Sequence, residues 1–477
     1  MSIKDSVRKT IAYAKRNGIS AAYYAAMERL DDNKKDNYEF SPVSKEEIDR
    51  QRTESERWQN DNLKLPLFSI VVPCYLTPEM YLRKLIDSVQ KQSYGKFELI
   101  LADAGASQNI VSGNVSTNDE NKKRASVEDI AKEYSQKDNR IIYIPLKNNG
   151  GISDNTNEGI KMAKGDYIAL LDHDDYIEPN ALYEFAKCII EAQEKKKDVR
   201  LIYSDEDKTN SDGSAFYEHH AKPDFNFDYL MSNNYICHFT VIRKDIIKDL
   251  MLRKAYDGAQ DFDLFIRACT YKQDDLKNIG EGIKHIDKVL YHWRCHESST
   301  ASNPTSKAYA YTAGKNAVTD FWRSRNIDAK VEELPHVGFY RTNYSSGILR
   351  SRPDIGIVGG KIVDKKGSII GGAYNFNGEV LYNKLQKGYS GGFQHKAVLQ
   401  QDVNAVDARC MQIRDELKPL YNEVFGREYI DTLTQVNAKV NENDIINLSI
   451  CFCKKATEMG YRVLWDPHYF NVISGRS

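Results

Sequence analysis

The stretch Gly165-Asp166-Tyr167-Ile168-Ala169-Leu170-Leu171-Asp172-His173-Asp174-Asp175 constrains this chain more than any other. The apolar run from Tyr167 to Leu171 is short and bounded by polar residues, which predicts a buried strand. Three carboxylates follow within four residues. Packed at a strand end, they repel one another unless a cation sits between them. Hard divalent cations take carboxylate oxygens and commonly bridge protein to substrate phosphates. Open α/β sheets bind ligands beyond the carboxyl ends of their strands. The element therefore points to Mn²⁺ or Mg²⁺ holding a phosphorylated substrate. An acidic strand-to-loop turn is the plain alternative, because Asp is common in turns and at helix caps.

The same alternation precedes and follows it. Phe68 to Pro73 predicts a strand that Pro73 stops, Phe97 to Leu101 a second that ends at Asp103, and Ile141 to Ile144 a third. Helices are predicted from Glu79 to Gln92, where Leu82, Leu85, Ile86 and Val89 share a face, from Asp154 to Ala163, and from Ala181 to Ala192. This is an α/β pattern, a mostly parallel sheet flanked by helices. Residues 105–126 predict an exposed loop, residues 201–294 a mixed stretch, and Ser306 to Arg325 a closing helix. We expect an N-terminal helical appendage and linker over 1–62 and a principal domain over 63–330. A smaller α+β region over 331–477 opens with Gly-rich β-like runs at 355–360 and 369–372.

A chain of 477 residues holds more than one domain's worth of core. Its net charge of −1 gives no general case for nucleic acid, and none is expected as a partner. Eight scattered cysteines with no CxxC pair fit neither zinc nor redox templates. With no secretory leader visible, reduced cytosolic thiols are expected. No apolar run reaches the roughly 20 residues that span a bilayer. Lys4, Arg8, Lys9, Lys15 and Arg16 flank Ile11 to Ala14. They predict either a solvated helix or a peripheral contact with the inner face of an anionic membrane. The expected location is cytoplasmic.

Several further groups could converge at the strand ends. Pro73 and Tyr75 could cover a base. Asp103 could accept the imide N–H of a pyrimidine, or cap a turn. Asn149, Gly150 and Asn155 lie in a Gly-rich turn before a helix, where backbone can approach a phosphate; a turn with its cap is the plain reading. Asp261, in Gly258-Ala259-Gln260-Asp261-Phe262-Asp263, is a candidate base for an incoming hydroxyl, or an acidic first helical turn. His292 could ligate metal and Arg294 could pair with phosphate, although a lone His is more often structural.

Together these residues resemble glycosyltransferase family 2, which has the GT-A (Rossmann-like) fold. Asp172-His173-Asp174-Asp175 is similar to that family's Asp-x-Asp motif. Tyr203-Ser204-Asp205-Glu206-Asp207-Lys208, Asn234-Tyr235-Ile236-Cys237-His238 and Tyr291-His292-Trp293-Arg294 resemble segments of bacterial surface-polysaccharide members, of the rhamnan or O-antigen type. The likeness covers about residues 66–325. It implies that Pro73, Tyr75, Asp103, Asn149, Gly150, Asn155, Asp172 and His173 bind a nucleoside-diphosphate sugar. It implies Asp172, Asp174 and His292 as ligands of Mn²⁺ or Mg²⁺, and Asp261 as the base. The family often has two adjacent acids where this chain has Asp103-Ala104.

The implied reaction is inverting, hexosyltransferase-type transfer to a hydroxyl of a glycan or lipid-linked acceptor. The C-terminal region resembles part of a second such domain, through Arg352 to Gly359 and Gly460 to Val463, with no second Asp-x-Asp. Its expected base segment, Asn443-Asp444-Ile445, is an uncertain match, so one active centre is expected. A catalytically silent nucleotide- or sugar-binding scaffold is the competing reading. A nicotinamide dehydrogenase is more remote, because no GxGxxG follows the first strand.

Overall fold

The structure, a computed structural model, describes residues 3–35, 37–60, 64–106, 125–296, 308–435 and 444–473. Most of the loop expected over 105–126, and Asn443, lie outside the described residues. Nine strands build the central sheet: β1 (Phe68–Cys74), β2 (Phe97–Asp103), β3 (Ile141–Pro145), β4 (Tyr167–Leu170), β5 (Tyr176–Ile177), β6 (Leu201–Thr209), β7 (Phe216–His220), β8 (Thr240–Arg243) and β9 (Ile283–Arg294). Their order is β3-β2-β1-β4-β8-β6-β9-β5, with β7 on β6. The β3-β2-β1-β4 half is parallel. Beyond it β8 runs antiparallel to both β4 and β6, and the sheet is mixed.

The physical cause is burial. Every residue of β1 and β2 is buried, as in strands covered on both faces. Leu82, Leu85, Ile86 and Val89 of the helix Glu79–Gln90 cover one face. The helix Ile152–Met162 covers the other, where Gly159 allows contact: a Cβ there would stand 2.5 Å from Val71 Cγ1. Pro73 does not end β1, contrary to expectation; it pairs with Ala102, and the strand continues to Cys74. The paired stretch of β4 stops opposite Val71, so Pro73 has one neighbouring strand and its missing N–H is tolerated.

The N-terminal helices are docked. Trp58, on the helix Lys45–Asn60, stacks over Tyr183 with centroids 5.2 Å apart. The helices Ile3–Asn17 and Ile19–Lys35 lie against residues 335–392, through Arg16 to the Pro335 carbonyl and Glu28 to the Ser390 amide. After the helix Ala308–Ser324 comes a hairpin, β10 (Ala329–Glu333) and β11 (Tyr340–Tyr344). Val331 and Tyr340 of that hairpin join Phe321 and Trp322 in the core beneath the central sheet. A second sheet centres on the parallel pair β12 (Ile355–Val363) and the C-terminal strand Arg462–Val472. Its core includes Ile357, Met411, Phe452 and Trp465. Among the described residues no helix is long and apolar enough to cross a membrane.

Candidate active site

The parallel strands end at a cleft. It is lined by Pro73 from β1, Thr156 from the helix Ile152–Met162, Leu170 at the end of β4, Leu171 and Asp172 just beyond it, Cys237 and His238 from the loop before β8, and Gln260 and Asp261 opening the helix Gln260–Cys269. Two acids far apart in sequence, Asp172 and Asp261, therefore face one cavity.

The acid triplet divides its labour. Asp172 keeps 54% of its side chain open, and its Oδ2 stands 3.9 Å from His238 Nε2. Asp174 Oδ2 lies 2.8 Å from His296 Nε2. Burial pushes Asp174 upward, but the His296 bond and the nearby His173 hold it below its ordinary value. Asp175 is buried and turned away; it accepts the Arg294 N–H at 2.6 Å and the Tyr291 hydroxyl. It ties the turn to β9. Arg294 serves the same end, donating to the Asp174 carbonyl at 2.6 Å and the Ser211 carbonyl at 2.7 Å.

The other expected residues are placed as follows. His173 Nδ1 lies 2.8 Å from Thr77 Oγ1, on the loop after β1, and Tyr75 on that loop is exposed. Asp103 has no exposed surface; its Oδ1 accepts the Gly105 N–H at 2.8 Å and its Oδ2 the Tyr143 hydroxyl at 3.0 Å. Burial raises its pKa. Asn149, Gly150 and Asn155 bind one another. Asn155 Oδ1 accepts the Gly150 N–H at 3.1 Å and its Nδ2 donates to Asn149 Oδ1 at 2.9 Å. The Gly150 amide expected to meet a phosphate is thus spent inside the turn. Gly151 follows at φ +96°, a conformation that favours glycine.

His292, the expected metal ligand, lies in β9. It is buried, with Nδ1 2.6 Å from Asp207 Oδ1 and Nε2 3.0 Å from Glu178 Oε1. Both ring nitrogens are spent on these carboxylates, and the ring is packed against Phe40 and Tyr176. The imidazole beside the acid turn is His296 instead.

Sequence reasoning also missed His238, Asn234 and Cys237 as individual residues. Their segment carries the family likeness alone. His238 Nδ1 lies 3.1 Å from Glu206 Oε2. Burial alone would lower its pKa, but Glu206, Asp172 and Asp175 outweigh burial and push it up to about 9. Behind His238, the β6 acids each face a histidine: Asp205 lies 2.8 Å from His285, Glu206 3.3 Å from His220 and Asp207 2.6 Å from His292.

Asp172 and Asp174 offer carboxylates, which suit Mn²⁺ or Mg²⁺, and the His296 ring holds Asp174. Among the described residues no three His, Cys, Asp or Glu side chains gather into a cage for an ion. Such a cation would complete its shell with water and phosphate oxygens.

The cleft lies beyond the carboxyl ends of β1 and β4, where open α/β sheets bind their ligands. The family profile described as Glycosyl transferase family 2 matches residues 117–251. The uncharacterized glycosyltransferase MJ1057 of Methanocaldococcus jannaschii is 33% identical over 220 residues, covering 44% of this chain and 68% of its own. The chain belongs to glycosyltransferase family 2, and its central domain has the GT-A fold. The uncharacterized protein y4gI of Sinorhizobium fredii is 36% identical over 256 residues, 54% of this chain. The O-antigen biosynthesis protein RfbC of Myxococcus xanthus is 28% identical over 297 residues, 61% of this chain. The chain spans 25% of the former's length and 20% of the latter's.

Proposed function

We propose that this chain is an inverting, metal-dependent hexosyltransferase. It would move a sugar from a nucleoside-diphosphate sugar to a hydroxyl of a glycan or lipid-linked acceptor in polysaccharide biosynthesis. The observation that carries the reading is the shared cleft: Asp172 and Asp261 line one cavity where the parallel strands end. Inverting transfer needs a base on the face of the sugar opposite the leaving group. Asp261 would take the acceptor's proton as the hydroxyl attacks the anomeric carbon. Asp172 and Asp174 would hold Mn²⁺ or Mg²⁺, with His296 steadying Asp174, and the ion would supply charge neutralisation to the departing diphosphate. His238 lies on the same floor, 3.9 Å from Asp172. The apolar lining of Leu170, Leu171 and Phe265 would keep out water that would otherwise hydrolyse the donor. The O-antigen name of one relative supports a role in polysaccharide assembly, and the reading carries with it a cytoplasmic location.

The test is turnover of a UDP- and GDP-sugar panel with Mn²⁺, read as nucleoside diphosphate released, with mixed glycan acceptors. Wild type should turn over, and Asp174→Ala and Asp261→Asn should fall by about 10²-fold or more. Equal background rates in all three would favour the silent scaffold.

A further inference from the structure

Asp261 is gripped by a single loop. Asn234 Nδ2 donates to its Oδ2 at 3.1 Å, and the Cys237 thiol donates to the same oxygen at 3.0 Å. Asp261 Oδ1 takes the N–H of Phe262 at 2.8 Å. Both side-chain donors lie between the helix Phe227–Ser232 and β8. Asn234 spends its amide N–H on Asp261 while its own Oδ1 stays buried with no hydrogen-bond partner among the described residues. An orphaned buried acceptor costs stability, and such groups call for an explanation.

The loop is pinned from behind. Lys222 has no exposed side-chain surface and pairs with Glu206 at 3.4 Å. Its Nζ donates to three consecutive carbonyls, Ile236 at 3.3 Å, Cys237 at 3.0 Å and His238 at 2.7 Å. Glu206 returns the tie by accepting the His238 N–H at 2.6 Å.

A carboxylate on its own turns readily about its terminal bond. A base must present one oxygen at one place to the attacking hydroxyl. Two donors on Oδ2 stop that rotation. The choice of a thiol has chemical sense, because S–H is a weak donor. It orients the carboxylate while drawing little on the electron pairs that must accept a proton.

Resting on the reading of Asp261 as the base, we propose that Asn234 and Cys237 are its positioning residues. The buried Lys222–Glu206 pair fixes the loop that carries them. Neither positioning residue touches a reacting atom; each acts through Asp261.

The experiment compares Cys237→Ala, Cys237→Ser, Asn234→Ala and Asp261→Asn with wild type, using the same donor panel and Mn²⁺. Calorimetric UDP and GDP affinity and the thermal midpoint accompany the kinetics. Cys237→Ala and Asn234→Ala should each lose about tenfold in kcat with donor KM and nucleotide affinity unchanged, and Cys237→Ser should recover most of the loss. Unchanged kcat in both alanine variants overturns the proposal. So does an equal loss in Cys237→Ser and Cys237→Ala, or a loss of nucleotide affinity in place of kcat. Wild-type turnover in Asp261→Asn sinks the underlying assignment of the base instead. A wild type inert across the panel removes both readings.

Discussion

His238 Nε2 stands 3.9 Å from Asp172 Oδ2, while Nδ1 of the same ring is held 3.1 Å from Glu206. One imidazole thus joins the buried acid run of β6 to the floor of the cleft. Burial opposes its charge, but Glu206, Asp172 and Asp175 hold its pKa at about 9. A His raised in the fold stabilises fully below its unfolded pKa of about 6.5, and loses that contribution as pH rises through the folded value. The thermal midpoint of wild type should therefore decline as pH rises from about 6.5 through 9, and His238→Gln should decline less over that window. Parallel curves for the two proteins would refute the assignment.

The two imidazoles at the end of β9 should separate cleanly in metal binding. His296 touches Asp174, whereas His292 is spent on Asp207 and Glu178. His296→Ala should weaken Mn²⁺ affinity, measured by electron paramagnetic resonance with UDP present, by about 10- to 100-fold. His292→Gln should leave that affinity near wild type. It should instead cost about 3–5 kcal/mol in urea unfolding, because it weakens the pairing of two buried carboxylates. The reverse pattern would return His292 to the metal.

Which of these features could be read from the sequence depended on how local their causes are. β1 to β4 and their helices were legible because apolar runs and one-face spacing are local properties. That Asp172 and Asp261 line one cleft follows from their places where elements begin or end, because parallel topology gathers such points along one edge. The neighbours of His292 are not legible in the sequence because register fixes them: β5 pairs Tyr176 with His292, and β6 sets Asp207 beside it. Those partners lie 85 and 114 residues away in the chain, and no spacing announces them. Lys222 was invisible for the same reason. A buried lysine looks like any surface lysine until the carbonyls it grips are in place.

The central sheet and the C-terminal region meet through a buried ion cluster. Arg352 is fully buried, donating to Asp228 at 2.8 and 3.1 Å and to Asp354 at 2.9 and 2.6 Å. Asp228 belongs to the helix Phe227–Ser232, directly before the loop that holds Asp261. Arg352→Ala leaves two buried carboxylates short of a partner and should cost about 3–5 kcal/mol. Hydrogen exchange over the helix Phe227–Ser232 should quicken in the same variant. Unchanged stability and exchange would mean that Arg462, which also reaches Asp228, carries the contact alone.

Glu28 should prove the anchor of the N-terminal helices. It is 6% exposed, and it accepts the N–H groups of Ser390 at 2.9 Å, Gly391 at 2.8 Å and Gly392 at 3.1 Å, with the Ser390 hydroxyl at 2.8 Å. Gly391 and Gly392 have φ of +90° and +79°, so this loop takes a shape that few other residues could keep. A carboxylate at its centre offers two oxygens to several donors. Glu28→Ala strands those donors and should cost about 1.5–3 kcal/mol, with faster trypsin cleavage around Arg29 and Lys387. Glu28→Gln keeps the shape and one acceptor oxygen and should fall between the two. Cleavage and stability equal to wild type in Glu28→Ala would show that the Tyr389–Asp31 bond, at 2.8 Å, suffices to hold the helix Ile19–Lys35 in place.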